Sequence, residues 1–517
     1  MLARTLSFGL VGIEALPIEI EVDVSRGLPS LTLVGLADTA IRESKERVKS
    51  AIKNSGFSWP SERITISLAP SYIKKEGASF DLAIALGILT ATGQLNNERL
   101  NEYYILGELS LDGSLKAGRG ILPISMAIAK SLPTGQAGNI RNIILPQQNA
   151  KEAGIVEGIC AWPLKTLRES VEFLNNRQFY KPFKSDLEGL FQKNTCYQID
   201  FSEVKGQYHA KRALEVAVSG GHNILMIGPP GSGKTMLAKR IPTIMPDLTL
   251  AEALEITKIH SVMGKLTPGE GIIGTRPFRS PHHSSSNVAL VGGGSVPTPG
   301  EISLSHHGVL FLDELPEFRR DSLEGLRQPL EDGFIRVCRI NHSFVFPASF
   351  MLVCAMNPCP CGYFTDPHKA CRCNPNKIQN YIGKISGPLL DRIDIHIELP
   401  SIKYKELAET KDAESSKAIK ERVEKARAIQ RERFKAEAIF YNAQMNTKLI
   451  KKYCVLDSEA KELLRMAMNE LGLSARAYDK ILKVSRTISD LAALEQIKTE
   501  HLSEAIQYRS LDRSLSA

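Results

Sequence analysis

Residues Asn223–Ile241 read NILMIGPPGSGKTMLAKRI, and this stretch decides what kind of sheet the chain builds. The apolar run NILMI suits a short buried strand, and MLAKRI has the spacing of an amphipathic helix. Between them Gly228, Pro229, Pro230, Gly231, Ser232, Gly233, Lys234 and Thr235 match G-x-x-x-x-G-K-[ST] in the strand–loop–helix setting that gives the pattern its meaning. Backbone N–H groups of such a loop and of the following helix N-terminus cradle phosphates. Lys234 is expected to neutralise the β- and γ-phosphates of ATP, and Thr235 to offer its hydroxyl to Mg2+.

Downstream, GVLFLDEL (Gly308–Leu315) is an apolar strand ending in two acids. Asp313 is placed to hold the magnesium and Glu314 to polarise an attacking water. The next strand, FMLVCAMN, ends at Asn357, which either orients that water or closes the strand by ordinary turn chemistry. In LLDRIDIHIEL, Arg392 follows a short helix; it reads either as an arginine finger reaching a neighbouring subunit's nucleotide or as a surface ion pair with Asp391 or Asp394. Arg476, in GLSARAYDKIL, opens a helix and is expected to reach the γ-phosphate of its own subunit.

The rest of the chain is consistent with an α/β protein of several domains. Its 517 residues are 43% hydrophobic, too long for one ordinary core and too apolar for disorder. The net charge of +8, from 65 basic and 57 acidic residues, permits contact with a polyanion without demanding it. The N-terminus alternates like strands and lacks a signal-peptide core, and no run approaches the roughly 18 apolar residues of a membrane span, so a cytoplasmic protein without membrane contact is expected. Residues 1–165 mix strands such as IEIEVDV with helices such as IRESKERVKSAIKNSG, an α+β domain; 166–200 read as a linker; 201–403 alternate buried strands and helices, a mainly parallel sheet; 404–517 are helical.

Four of the nine cysteines crowd into CPCGYFTDPHKACRC. Cys359, Cys361, Cys371 and Cys373 form two C-x-C pairs able to converge on a structural Zn2+, although the spacing departs from the usual C-x-x-C knuckle; the alternative is four reduced thiols in a loop. Four thiolates would leave no open position for catalysis.

These motifs in this order resemble the AAA+ superfamily. RPFRSPHHSSSNVALVGGG, PTPGEISLSHHGVLFLDELPEF, AMNPCPCG, GPLLDRID and SARAYDKIL resemble its magnesium-chelatase-like branch, the YifB/ComM family, over nearly the whole chain. The resemblance implies an AAA+ P-loop core with an α-helical lid of magnesium-chelatase type, a homo-hexameric ring, and a DNA helicase promoting branch migration in natural transformation. In that branch a hairpin before the Asn357 strand points into the ring pore. Here GFIRVCRINHSFVFPASF would place Arg336, Arg339 and His342 near its turn, either tracking a single-stranded or branched DNA backbone or carrying ordinary solvated charges. A second insertion, about Gly264 to Gly294, carries Arg276, Arg279, His282 and His283. It reads as a mobile pore loop, with the His pair either structural or near the nucleotide.

KKEGASFDLAIALGIL and GELSLDGSLKAGRGILP resemble the Lon-protease domain, of ribosomal S5-like fold, with Ser79 where that family has its nucleophile. Aligned from Gly107, Leu122 stands at the family's lysine; Lys116 is displaced and Lys75 is a less suitable substitute. A Ser–Lys dyad needs an amine beside the serine, so a scaffold without peptidase activity is expected. Beside the DNA motor stand three other readings: a magnesium-chelatase motor subunit, a Lon-like protease, and an AAA+ remodelling protein indifferent to DNA.

Overall fold

The computed structural model describes residues 1–511 except 36–37, 72–74, 76, 78, 97–98, 131–140, 268, 295–296, 339–342, 365, 367–368 and 402–412. Two compact units emerge: Met1–Thr195 with Thr249–Gly274, and Cys196–Leu248 with Thr275–Ala517.

In the first unit, Leu2–Val11 and Glu14–Ser25 form a hairpin closed at Gly12, whose φ of 64° suits the tight turn. Alternation in the second strand buries Ile18, Ile20, Val22 and Val24 and exposes the opposite face to polar residues, as period-2 patterning requires. The hairpin sits inside a seven-stranded mixed sheet in the order Ser30–Val34, Arg63–Ala69, Glu14–Ser25, Leu2–Val11, Tyr103–Ile105, Asn142–Pro146, Cys160–Leu164. Helix Asp81–Ala91 is buried along its whole length and packs on the hairpin. Its one buried carboxylate, Asp81, is pushed up to about 6 by burial, against the Arg47 guanidinium that bonds it at 2.9 and 3.3 Å.

Two boundaries differ from the sequence expectation. The supposed linker begins with a helix, Leu167–Asn175, capped by Thr166; its Leu167, Val171, Phe173 and Leu174 join the sheet's core, and Phe173 lies against Trp162 and Tyr103. Thr249–Gly274, expected within the P-loop core, belongs to the first unit: Ser261 bonds Glu152, Lys258 pairs with Glu14 at 2.6 Å, and Asn194 reaches Ile272 O at 2.7 Å.

The second unit is built on five parallel strands in the order Phe278–Arg279, Val309–Leu312, Met351–Met356, Ile224–Ile227, Ile395–Glu398. The middle three strands are apolar on both faces, as a sheet covered by helices demands. Strands Phe334–Cys338 and Ser343–Pro347 pair antiparallel, as expected of this stretch. Helices Ser416–Arg433, Thr447–Tyr453, Ser458–Leu471, Ala475–Leu491 and Thr499–Gln507 share one core with the sheet: Ile419, Val423, Ile481 and Leu502 pack among Ala213, Leu237 and Ile395. No described helix is long and apolar enough to cross a membrane.

Two buried carboxylates pin these helices. Asp490 accepts from Arg433 at 2.7 Å, Asn442 at 2.8 Å and Arg486 at 3.1 Å. Asp394, just before the last strand, meets Lys480 at 2.7 Å and His222 at 3.2 Å, and His222 reaches Thr487 at 2.8 Å. Removing one partner of a buried pair leaves an uncompensated charge, so Asp490→Ala should cost about 3–5 kcal/mol, read as a lowered urea midpoint. An unchanged midpoint would show that the cluster does not hold the helices.

Candidate nucleotide-binding site

The loop after Ile227 is shaped by three glycines. Gly231 and Gly233 have φ of 80° and 85°, in the region that favours glycine, and a Cβ on Gly228 would lie 2.5 Å from Leu399 O. Gly233 caps helix Lys234–Ile244, which therefore points its free N–H groups and positive dipole end into the loop. The Lys234 amine lies inside the loop, donating to Gly228 O at 2.8 Å and Pro229 O at 2.9 Å and standing 3.4 Å from Ser232 Oγ. Burial lowers its pKa, opposed by the nearby Asp313 and Glu314 charges. A loop held open by left-handed glycines, lined with N–H donors and one buried amine, fits a polyphosphate.

The neighbouring strand ends deliver the other candidates to the same place because the strands are parallel and adjacent. Asn357, ending the strand next to Ile224–Ile227, has Oδ1 3.3 Å from the Lys234 amine. Asp313, one strand further, accepts from the Thr235 hydroxyl at 2.7 Å. Their separation is slightly shorter than the edge of about 3.0 Å of an octahedron with metal–oxygen bonds of about 2.1 Å, so a small movement would let both oxygens reach one Mg2+. Glu314 adopts φ 54°, and its carboxylate lies 3.4 Å from His283 Nδ1. This contact resolves the open reading of the His pair: His283 faces the acidic strand end, with the His282 ring tilted against it at 4.1 Å. Only the pairing of strands Phe278–Arg279 and Val309–Leu312 brings them together, so no local signal announced it.

The arginines of the second insertion are structurally committed, against the reading of a mobile pore loop. Buried Arg276 donates to Pro246 O at 2.6 Å and His307 O at 2.7 Å, and Arg279 grips Glu301 with two bonds of 2.5 and 2.7 Å. On the hairpin Arg336 is exposed beside Val345 on one solvent-facing side; Arg339 and His342 lie outside the described residues.

Arg392 and Arg476 lie at the far end of the sheet. Asp394 N donates to Asn223 O, and Ile395 pairs with Ile224, so the segment 391–394 borders the strands' N-terminal ends, whereas the phosphate loop follows their C-terminal ends. Four strand residues separate the two by about 13 Å. Arg392 pairs with Glu331, not with Asp391 or Asp394, and Arg476 bonds Asp391 at 3.1 Å. Both line one cavity of about 630 Å³ together with Asp391, Asp394, Lys480 and Lys483. The expectation that Arg476 serves its own subunit's nucleotide is therefore corrected: the Asp394 cluster anchors its helix at the wrong end of the sheet.

Cys359, Cys361, Cys371 and Cys373 converge, with all four sulfurs within 4.8 Å of one another. In the first unit the Lys75 amine bonds Pro70 O, Lys116 stands 4.0 Å from Glu108, and Leu122 is buried; the Ser79 carbonyl accepts from Gly107 N.

Three family models cover the chain: magnesium chelatase, subunit ChlI over residues 200–407; subunit ChlI of Mg-chelatase over 20–149; and the ChlI C-terminal region over 413–509. The Haemophilus influenzae competence protein ComM is 44% identical, covering 99% of this chain and 98% of that protein. Escherichia coli YifB is 43% identical over 98% of this chain and 96% of its own length, and a Mycobacterium tuberculosis protein, Rv2897c, is 38% identical over 98% of both. The chain belongs to the YifB/ComM family of magnesium-chelatase-like AAA+ proteins. Its parallel five-stranded sheet carries the Gly228–Thr235 loop.

If Glu314 polarises water, Glu314→Gln should retain ATP binding while hydrolysis falls about 100-fold or more, and Lys234→Ala should lose binding itself. Fluorescent-nucleotide titration and phosphate release separate the two; hydrolysis at the original rate in Glu314→Gln would remove Glu314 from the role.

Proposed function

We propose that this protein is an ATP-hydrolysing ring motor acting on DNA, a helicase that promotes branch migration in recombination and natural transformation. The observation that carries the motor reading is the split of its candidate site: the phosphate loop, Thr235, Asp313, Glu314 and Asn357 at one end of the sheet, Arg392 and Arg476 at the other. Within one chain these cannot meet, so two copies must supply one site, as closed rings do with a head-to-tail interface. Lys234 and the loop N–H groups hold the phosphates, Thr235 and Asp313 hold Mg2+, and Glu314 takes the proton of water oriented by Asn357. Bound magnesium adds charge neutralisation at the phosphates. Arg392 and Arg476 of a neighbour contribute positive charge to the same reaction.

DNA is read as the partner from the exposed Arg336 on its hairpin and from kinship to a competence protein. The first unit is read as a Lon-protease-like scaffold without peptidase activity, since Leu122 is buried where an amine is needed and the Lys75 amine is taken by Pro70 O. The helices after Ser416 are read as the lid domain. The match to magnesium-chelatase models favours one second reading, a motor subunit that drives metal insertion by partner proteins.

Two experiments decide. ATP hydrolysis should rise with branched or single-stranded DNA, more steeply at low salt, and vanish in Lys234→Ala; Arg336→Ala should reduce the salt slope of DNA binding by about one. Hydrolysis indifferent to every DNA would move the reading to the chelatase motor. Arg392→Ala should bind ATP yet hydrolyse it about 10³-fold more slowly, and mixing it with Lys234→Ala protein should restore part of the activity. No restoration in mixed assemblies would sink the shared site.

A further inference from the structure

The cysteine turn does not stand apart from the nucleotide site. Cys359 is fully buried two residues after Asn357, and Gly362 closes the turn by donating its N–H to Cys359 O at 2.9 Å. Gly362 has φ 85°, and a Cβ there would lie 2.6 Å from Cδ of Pro230, inside the phosphate loop. At the other end of the segment, Cys373 leads directly into helix Pro375–Ile382, capped by Asn374. That helix carries the buried Tyr381, whose hydroxyl lies near the Asn357 backbone. The four cysteines thus tie together the two segments that hold Asn357 and the turn that supports Pro230.

Their geometry is that of a mononuclear site. The sulfurs of Cys359, Cys361 and Cys371 are 3.3, 3.6 and 3.7 Å apart, close to the spacing of about 3.8 Å set by a tetrahedron with Zn–S bonds of about 2.3 Å. A disulfide would need about 2.05 Å, and all four are free. An iron–sulfur cluster would interpose several atoms and spread the sulfurs further. The backbone N–H of Cys373 donates to Cys371 Sγ at 3.4 Å, the kind of support thiolate ligands receive in metal knuckles.

We propose that Cys359, Cys361, Cys371 and Cys373 hold one Zn2+ and that this closed site braces the phosphate loop through Gly362 and Pro230 and positions Asn357, so that nucleotide binding depends on metal occupancy. The proposal rests on the reading of the Gly228–Thr235 loop as an ATP site. A metal with four thiolates has no position for substrate, so its effect is mechanical: it holds a segment with little apolar core of its own in one conformation.

The test uses the full-length protein. Elemental analysis should find one zinc per chain. Stripping it with a mercurial reagent and chelator, while circular dichroism shows the fold retained, should weaken binding of a fluorescent ATP analogue about tenfold or more, and added Zn2+ should restore it. Gly362→Ala should keep its zinc and weaken the same binding, because it disturbs the contact with Pro230 and not the ligands. Iron or no metal at the purified site overturns the zinc assignment. Unchanged nucleotide affinity after stripping, or in Gly362→Ala, overturns the brace. Wild-type protein that binds no nucleotide overturns the reading of the loop instead, an outcome distinct from both.

Discussion

Asp394 is buried in the second unit, where burial opposes its charge; Lys480 and His222 outweigh that and hold its carboxyl well below the usual carboxylate range. A buried carboxylate so paired is costly to separate from its partners. Because Lys480 and Thr487 stand on helix Ala475–Leu491 and Asp394 precedes a strand, the cluster fixes that helix to the N-terminal ends of the sheet. Arg476, one turn before Lys480, follows it there. The placement of Arg392 and Arg476 at the end of the sheet opposite the loop thus descends from one ion cluster.

At the opposite end the governing constraint is steric. Gly228 has Leu399 O against it and Gly362 has Pro230 against it, so the loop is clasped by the ends of two flanking segments. Those contacts couple the loop to the end of the Ile395–Glu398 strand and to the cysteine turn more closely than sequence distance suggests. Parallel strand order does the rest, placing the ends that carry Lys234, Asn357 and Asp313 side by side.

What was legible in the sequence was mostly local. GPPGSGKT, the Asp313–Glu314 strand end and the apolar strands around them are each readable from short-range pattern, and the sheet contains all four strands expected of it. The misreadings concern partners. Helix Leu167–Asn175 looked polar enough for a linker because only one of its faces is apolar, and that face is spent on Trp162 and Tyr103. Within Thr249–Gly274 the helix Leu250–Val262 carries no local pattern that says which body it packs on. Arg276 and Arg279 looked like free cations until the carbonyls and carboxylate that bind them were in place.

By itself the sequence determined the phosphate loop, the acidic strand end, the cysteine quartet and the class of sheet, since each depends on residues adjacent in the chain or repeating with a fixed period. Only the tertiary structure decided that His283 faces Glu314, that Arg476 lies with Arg392 away from the loop, and that the cysteine turn leans on Pro230. These are contacts across strand order and between distant segments, where proximity is set by packing and buried charge, quantities that no local pattern encodes.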